Sequence, residues 1–168
     1  MRKTLIVLAV LFITGLSCKK IIDTGDGLCA CSPVQENYLS LVLKNNASKD
    51  LLDPATTEHL TKDKIQLYSK SANGEIKQIS LGIRPPFSYG NDKFEFYQLI
   101  SAEILWLATS VDRNFYLKLG DNKEYQLNIK ITNNKIEKLL IDKVELPQEK
   151  PGATPYQYVS SIFSFKLP

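Results

Sequence analysis

Histidine is almost missing from this chain: His59 is the only one in 168 residues. That excludes metal sites built from several histidines and leaves a Ser–His–acid triad one available base. His59 stands among threonines, and no Gly-x-Ser-x-Gly elbow is present to raise a serine for attack. It reads as a solvated loop histidine. Uncharged apolar runs are short as well. The longest, residues 4–16, falls below the roughly 20 residues that a membrane-spanning helix needs. Charge of either sign is not in excess, with 21 basic and 18 acidic side chains. A nucleic-acid partner, which calls for a basic stripe, is therefore not expected.

What the chain does have begins at its N-terminus. Arg2 and Lys3 precede the apolar run, Ser17 is small, and Cys18 follows. This is the layout of an export signal, with a positive n-region and an apolar h-region. The ending Gly15-Leu16-Ser17-Cys18 resembles a bacterial lipobox of the signal-peptidase II type. The Ser-Cys-Lys-Lys junction is similar to that of Bacteroidetes-type lipoproteins. The resemblance implies that residues 1–17 are removed and that the thiol of Cys18 carries acyl chains such as palmitate. It also implies a Gram-negative cell envelope, lipid-anchored, with the protein at the outer membrane on its periplasmic or surface side. Each buried methylene contributes about 0.8 kcal/mol, so two or three chains hold firmly where one holds reversibly. Loss of residues 1–17 takes Arg2 and Lys3 away and leaves 19 basic against 18 acidic groups, close to neutral.

Residues 18–37 carry Gly25, Gly27 and Pro33 with no sustained periodicity, so they read as a flexible tether. Cys29 and Cys31 lie within it, one residue apart. A disulfide wants its Cα atoms roughly 4.4–6.8 Å apart, so pairing them demands a sharp local bend. A strained Cys29–Cys31 bridge, two free thiols, a soft-metal pair and bonding to another protein's thiol all stay open. Two cysteines without nearby histidine fall short of a zinc pattern, and Asp23 and Asp26 fall short of an EF-hand. No metal and no cofactor is expected.

Residues 38–168 read as one domain built from strands. Leu39, Leu41 and Leu43 alternate with Ser40, Val42 and Lys44. Ile65-Gln66-Leu67-Tyr68 and residues 75–83 flank Asn73-Gly74, a strong hairpin signal because both positions tolerate positive φ. Residues 84–92 (RPPFSYGND) read as a loop, and residues 93–100 as a strand with Phe94 and Phe96 on one side. Residues 104–107 form a short apolar run that places Trp106 in the core. Phe115, Leu117 and Leu119 alternate with polar neighbours. Tyr125, Leu127, Ile129 and Ile131 face one way while Gln126, Asn128, Lys130 and Thr132 face the other, as in a half-buried antiparallel strand. Residues 136–146 slip in parity at Leu139-Leu140-Ile141, which predicts a bulge. A last strand runs over residues 159–167.

Seven or eight strands with hardly a helix predict an all-β fold, an antiparallel β-sandwich of the immunoglobulin- or transthyretin-like kind. Lys49-Asp50-Leu51-Leu52-Asp53-Pro54, Ile65-Gln66-Leu67-Tyr68, Phe115-Tyr116-Leu117 and residues 125–131 together resemble small Bacteroidetes-type lipoproteins of uncharacterised function. That likeness implies a lipid-anchored sandwich and supplies no catalytic residues.

Carboxylates are scattered, at Asp50, Asp53, Asp92, Glu95, Glu103 and Asp112, and spacing places no pair in a cleft. Asp50 and Asp53 read as turn caps. Tyr68, Tyr97, Tyr116 and Tyr158 fall on the polar parity of their strands and are the candidate ligand-binding residues. Cross-strand pairing on a wet face accounts for them equally. The function expected is therefore non-enzymatic: binding or assembly at the envelope, with the membrane as partner through the acyl chains and an envelope protein or glycan as ligand. The alternatives are a carbohydrate-binding module at the cell surface and a carboxylate-dependent hydrolase.

Overall fold

A computed structural model of the chain describes residues 37–89, 92–110, 114–121, 123–149 and 161–167. Cys18, Cys29, Cys31 and Tyr158 lie outside the described residues. The chain starts with β1 (Leu39–Lys44), then a 3-10 turn at Lys62–Lys64 and the hairpin of β2 (Ile65–Lys70) and β3 (Ile76–Ile79). Three short strands follow: β4 (Gly82–Arg84), β5 (Phe87–Tyr89) and β6 (Asp92–Phe94). β7 (Gln98–Ser101) leads into a helix, α1 (Glu103–Ser110). A meander of β8 (Asn114–Leu119), β9 (Lys123–Thr132), β10 (Lys135–Ile141) and β11 (Val144–Glu145) comes next, and β12 (Gln148–Glu149) and β13 (Ile162–Lys166) complete the series.

These strands form an all-β, sandwich-like fold. A five-stranded sheet runs in the order β12-β13-β1-β7-β4 and a six-stranded sheet in the order β11-β10-β9-β8-β2-β3. Pairing is antiparallel except between β1 and β13, which run parallel with Leu41 opposite Phe163 and Leu43 opposite Phe165. Leu39, Leu41, Leu43, Leu99 and Phe163 from one sheet pack against Leu67, Leu117, Leu127 and Leu139 from the other, all at most 2 % exposed. At about 25 cal/mol per Å² of apolar area removed from water, this layer is the main source of stability.

Turn chemistry sets the hairpins. Gly74 adopts φ +84° between β2 and β3, and Asn133 and Asn134 adopt φ 52° and 59° between β9 and β10. Both are left-handed conformations that glycine and asparagine accept at low cost. The parity slip in β10 is a register shift between Ile136 and Lys138, a few residues before the expected position. It lets Ile136 and then Leu139 and Ile141 all point inward.

Several parts differ from the sequence reading, among them residues 93–100, which are not one strand but are divided between β6 and β7 with a bend between them. Residues 75–83 are two strands: β3 belongs to the six-stranded sheet and β4 to the five-stranded one. The crossing at Ser80 is held by side chains, its N–H donating to Glu103 Oε2 (2.8 Å) and its carbonyl accepting from Ser101 Oγ (2.7 Å). Such capping satisfies backbone groups that no ladder reaches. Residues 84–92 hold part of a hairpin, β5–β6, rather than a loop. The apolar run 104–107 lies in α1, because so short a run has no period to separate helix from strand. Ile104, Leu105 and Leu107 are buried, whereas Trp106 points outward and is 63 % exposed, not in the core.

The β5–β6 hairpin packs on the five-stranded sheet away from the main core. Phe87 and Phe94 stack at 4.4 Å, and Phe94 joins Val42 and Ile162 in a second apolar cluster. β1 is thereby covered on both faces, which is why Val42 is as buried as Leu41.

Candidate functional site

The sequence candidates Tyr68 and Tyr116 meet on the outer face of the six-stranded sheet. They are direct cross-strand partners on β2 and β8, their rings stacked 5.5 Å apart and 19° from parallel. Gln78 on β3 stands opposite Tyr68, and Gln126 on β9 opposite Tyr116, so one row crosses four strands. Lys70 Nζ sits 4.4 Å from the Tyr116 ring centre and 5.5 Å from that of Tyr68. Its ammonium also pairs with Glu124 at 3.3 Å. Cation–π contacts of this kind add to packing where the ring is partly covered.

Within that row the two tyrosines differ. Tyr68 is 6 % exposed, and its hydroxyl donates to the Glu124 carboxylate. Burial first, and then this acidic neighbour, push the Tyr68 hydroxyl up to about 12. The same hydrogen bond, helped by Lys70, holds the Glu124 carboxyl below its ordinary value. Tyr116 is half-buried and offers the accessible ring, with Asn114 and Gln126 beside it. Asn114 and Gln126 are joined by a long contact of 3.5 Å. A flat ring edged by amides can stack on an apolar surface while exchanging hydrogen bonds with hydroxyl groups.

Tyr97 does not join them. It lies before β7, packs against the main core, and gives its backbone N–H to Asp50 Oδ2 at 2.6 Å. The parity argument fails there because the chain bends between β6 and β7.

The carboxylates have separate tasks. Asp50 also accepts from the Leu52 N–H (2.8 Å), and burial raises its pKa against the lowering effect of these bonds. Asp53 accepts from the Ala55 N–H at 2.9 Å. Glu103 binds the Ser80 N–H and pairs with Lys77 at 3.3 Å. Among the described residues no group of three or more His, Cys, Asp and Glu side chains is placed to hold a metal. His59 Nδ1 lies 3.3 Å from the Thr56 carbonyl, inside its own loop.

A second site escaped the sequence reading. Between the β5–β6 hairpin and the five-stranded sheet lies a half-open cleft of about 140 Å³. Val42, Phe94, Phe96 and Ile162 form its apolar walls, while Gln98, Lys93, Glu95 and Glu149 supply polar groups. Gln98 is 1 % exposed, and its Oε1 accepts from Ser40 Oγ (2.7 Å) and from Arg84 Nη2. Arg84 also donates to the Tyr38 hydroxyl at 2.5 Å and lies over the rings of Tyr38 (4.9 Å) and Phe87 (4.3 Å). Only a buried glutamine on the inner end of a strand, across from an arginine, would have signalled this place. Neither burial nor pairing is visible in sequence.

Compared with known protein families, with curated proteins and with solved structures, the chain matches none.

Proposed function

We infer that the chain is a lipid-anchored envelope protein whose β-sandwich is displayed for a non-catalytic binding or assembly role. Support for the anchor is the order of n-region, apolar run, Ser17 and Cys18, together with the likeness to Bacteroidetes-type lipoproteins. Among the described residues no helix is long and apolar enough to cross a membrane. Acyl chains at Cys18 would then carry attachment.

The observation that carries the binding role is the stacked Tyr68–Tyr116 pair on the outer face of the six-stranded sheet. Tyr68 is anchored through Glu124 and Lys70, so Tyr116 is presented on a stiff base at little entropic cost on binding. A second reading, a carbohydrate-binding module, is favoured by the Gln78–Tyr68–Tyr116–Gln126 row with Asn114 beside it. Sugar rings present an apolar face and peripheral hydroxyls, which match an aromatic ring bordered by amides.

The test has two parts. Labelling with a palmitate analogue should mark the wild type and not Cys18→Ser, and the variant should leave the membrane fraction. Capture of an envelope protein or glycan by the tethered protein should weaken at least tenfold in Tyr116→Ala. A membrane-bound Cys18→Ser variant overturns the anchor. Failure to capture either class, together with a measured hydrolase activity, overturns the binding role.

A further inference from the structure

We propose that the outer face of α1 is a membrane-docking surface: in the anchored protein, Trp106 sits in the headgroup layer of the bilayer that holds the acyl chains. The inference rests on the lipid-anchor reading of Cys18, and its test separates the two.

It starts from the helix. α1 buries Ile104, Leu105 and Leu107, while Trp106, Thr109 and Ala102 directly before the helix are exposed. Spacings of four and three place these exposed residues on one stripe, and the stripe carries no charge. The Thr109 hydroxyl donates to the carbonyls of Leu105 (3.1 Å) and Trp106 (3.0 Å), so its polar group is spent inside the helix. Trp106 is 63 % exposed, one of three large apolar side chains so open among the described residues. An indole combines an apolar body with one N–H donor, which suits it to a membrane–water interface.

Position follows from the register. Leu39, the first residue of β1, pairs with Ser101, so Tyr38 lies opposite Ala102 where α1 begins. Asn37 and Tyr38 also line a small pocket together with Leu105. The chain therefore enters the sandwich beside this helix. Only residues 19–36 separate Cys18 from that point, and a Gly-rich coil of that length spans about 23 Å. Such a linker sets an effective concentration of about millimolar, at which a contact too weak to recruit a free protein is occupied.

Charge and area select a bilayer over a protein. Lys77 pairs with Glu103 at 3.3 Å and sits 5.7 Å from the Trp106 ring centre, so the carboxylate nearest the stripe is neutralised. Lys135, which lines the pocket with Leu105, is exposed and long enough to reach lipid phosphates. Asp112 and Arg113, which follow the helix in sequence, are of opposite sign. Stable protein interfaces bury about 800 Å² on each side, whereas one aromatic ring supplies at most about 250 Å². A bilayer interface needs no matching shape. Lys77 and Gln78 are successive residues of β3 and point to opposite faces, so docking does not use the Tyr68–Tyr116 row that Gln78 joins.

Trp106 is the chain's one tryptophan, so its emission reports the contact directly. The acylated protein is reconstituted into vesicles of phosphatidylethanolamine and phosphatidylglycerol, with and without phosphatidylcholine brominated near its headgroup. Flotation with the vesicles reads the anchor. Relative to lipid-free Cys18→Ser, Trp106 should emit further to the blue and be quenched by acrylamide at least about threefold less, and brominated lipid should dim it about twofold. Ala102→Glu puts a charge on the stripe at a helix start that favours it, so the fold is kept. That variant should still float, yet return all three readings to those of the lipid-free chain.

Floating wild type whose Trp106 reads as in the lipid-free chain overturns the docking and leaves the anchor standing. Protection from acrylamide without quenching by brominated lipid means that a second chain covers the ring, and overturns the lipid assignment. Unchanged readings in Ala102→Glu overturn it as well. Should that variant fail to fold, the brominated-lipid reading on the wild type decides alone. A natural protein without acyl chains overturns the anchor; its Trp106 is then read with excess vesicles, and no quenching by brominated lipid overturns the docking too.

Discussion

The Tyr68 hydroxyl on β2 donates to the Glu124 carboxylate on β9, reaching across β8, which lies between them. The bond ties strands that share no ladder, and it gives the fold a pH signature. The Tyr68 pKa is raised from 10.0 to about 12, so folding favours the protonated phenol. Its contribution is complete below pH 10 and is lost as pH rises from 10 towards 12. Glu124 is shifted down from 4.5, so its contribution is complete above pH 4.5 and is lost as pH falls below it. Tyr68→Phe should cost about 1 kcal/mol at neutral pH and flatten the alkaline loss. Urea unfolding at several pH values checks this, and an unchanged alkaline limb would remove the role given to Tyr68.

Gly74 tests the hairpin in isolation. An added Cβ would meet nothing within 4 Å, yet the residue holds φ +84°. Gly74→Ala should therefore destabilise by about 1 kcal/mol through the backbone alone. Thermal melting measures it; a neutral result would mean that the turn relaxes.

Trp106 gives the chain one fluorophore of its kind, exposed at the surface of α1 and with Lys77 5.7 Å from its ring centre. Its emission should be that of a solvated indole, open to acrylamide quenching in the folded state. Trp106→Ala should change stability by no more than about 0.5 kcal/mol. A blue-shifted, protected emission would return the residue to the core.

Leu41 and Val42 are neighbours on β1 that face different layers. Leu41→Ala opens the main core and should cost about 2–5 kcal/mol. Val42→Ala should cost about 1.5 kcal/mol, because the β5–β6 hairpin keeps water from that face too. Denaturant midpoints compare the two. If Val42→Ala were neutral, the outer layer would not be packed.

Parts of this arrangement were legible in the residues. Strict alternation over 125–131 announced a strand with one wet face, and Asn73-Gly74 announced its hairpin, since both signals are local. The same alternation put Tyr68 and Tyr116 on polar parity, and their adjacency then followed from the pairing of β2 with β8. Tyr97 was misplaced because parity carries no information across a bend. Trp106 was misplaced because four apolar residues fit a buried strand and one turn of helix equally.

Chain chemistry alone determined where strands could form, which faces would be apolar and where the backbone could turn, because φ/ψ preference and side-chain alternation act over a few residues. Only the tertiary structure decided that β13 lies parallel to β1, that β4 leaves the sheet of β3, and that a hairpin closes over Val42. Those outcomes rest on contacts between residues as much as 122 positions apart, such as Ser40 with Ile162. The Gln98 cleft belongs to the same class. There Arg84 from one strand and Ser40 from another converge on the single Gln98 oxygen, a meeting that no local signal announces.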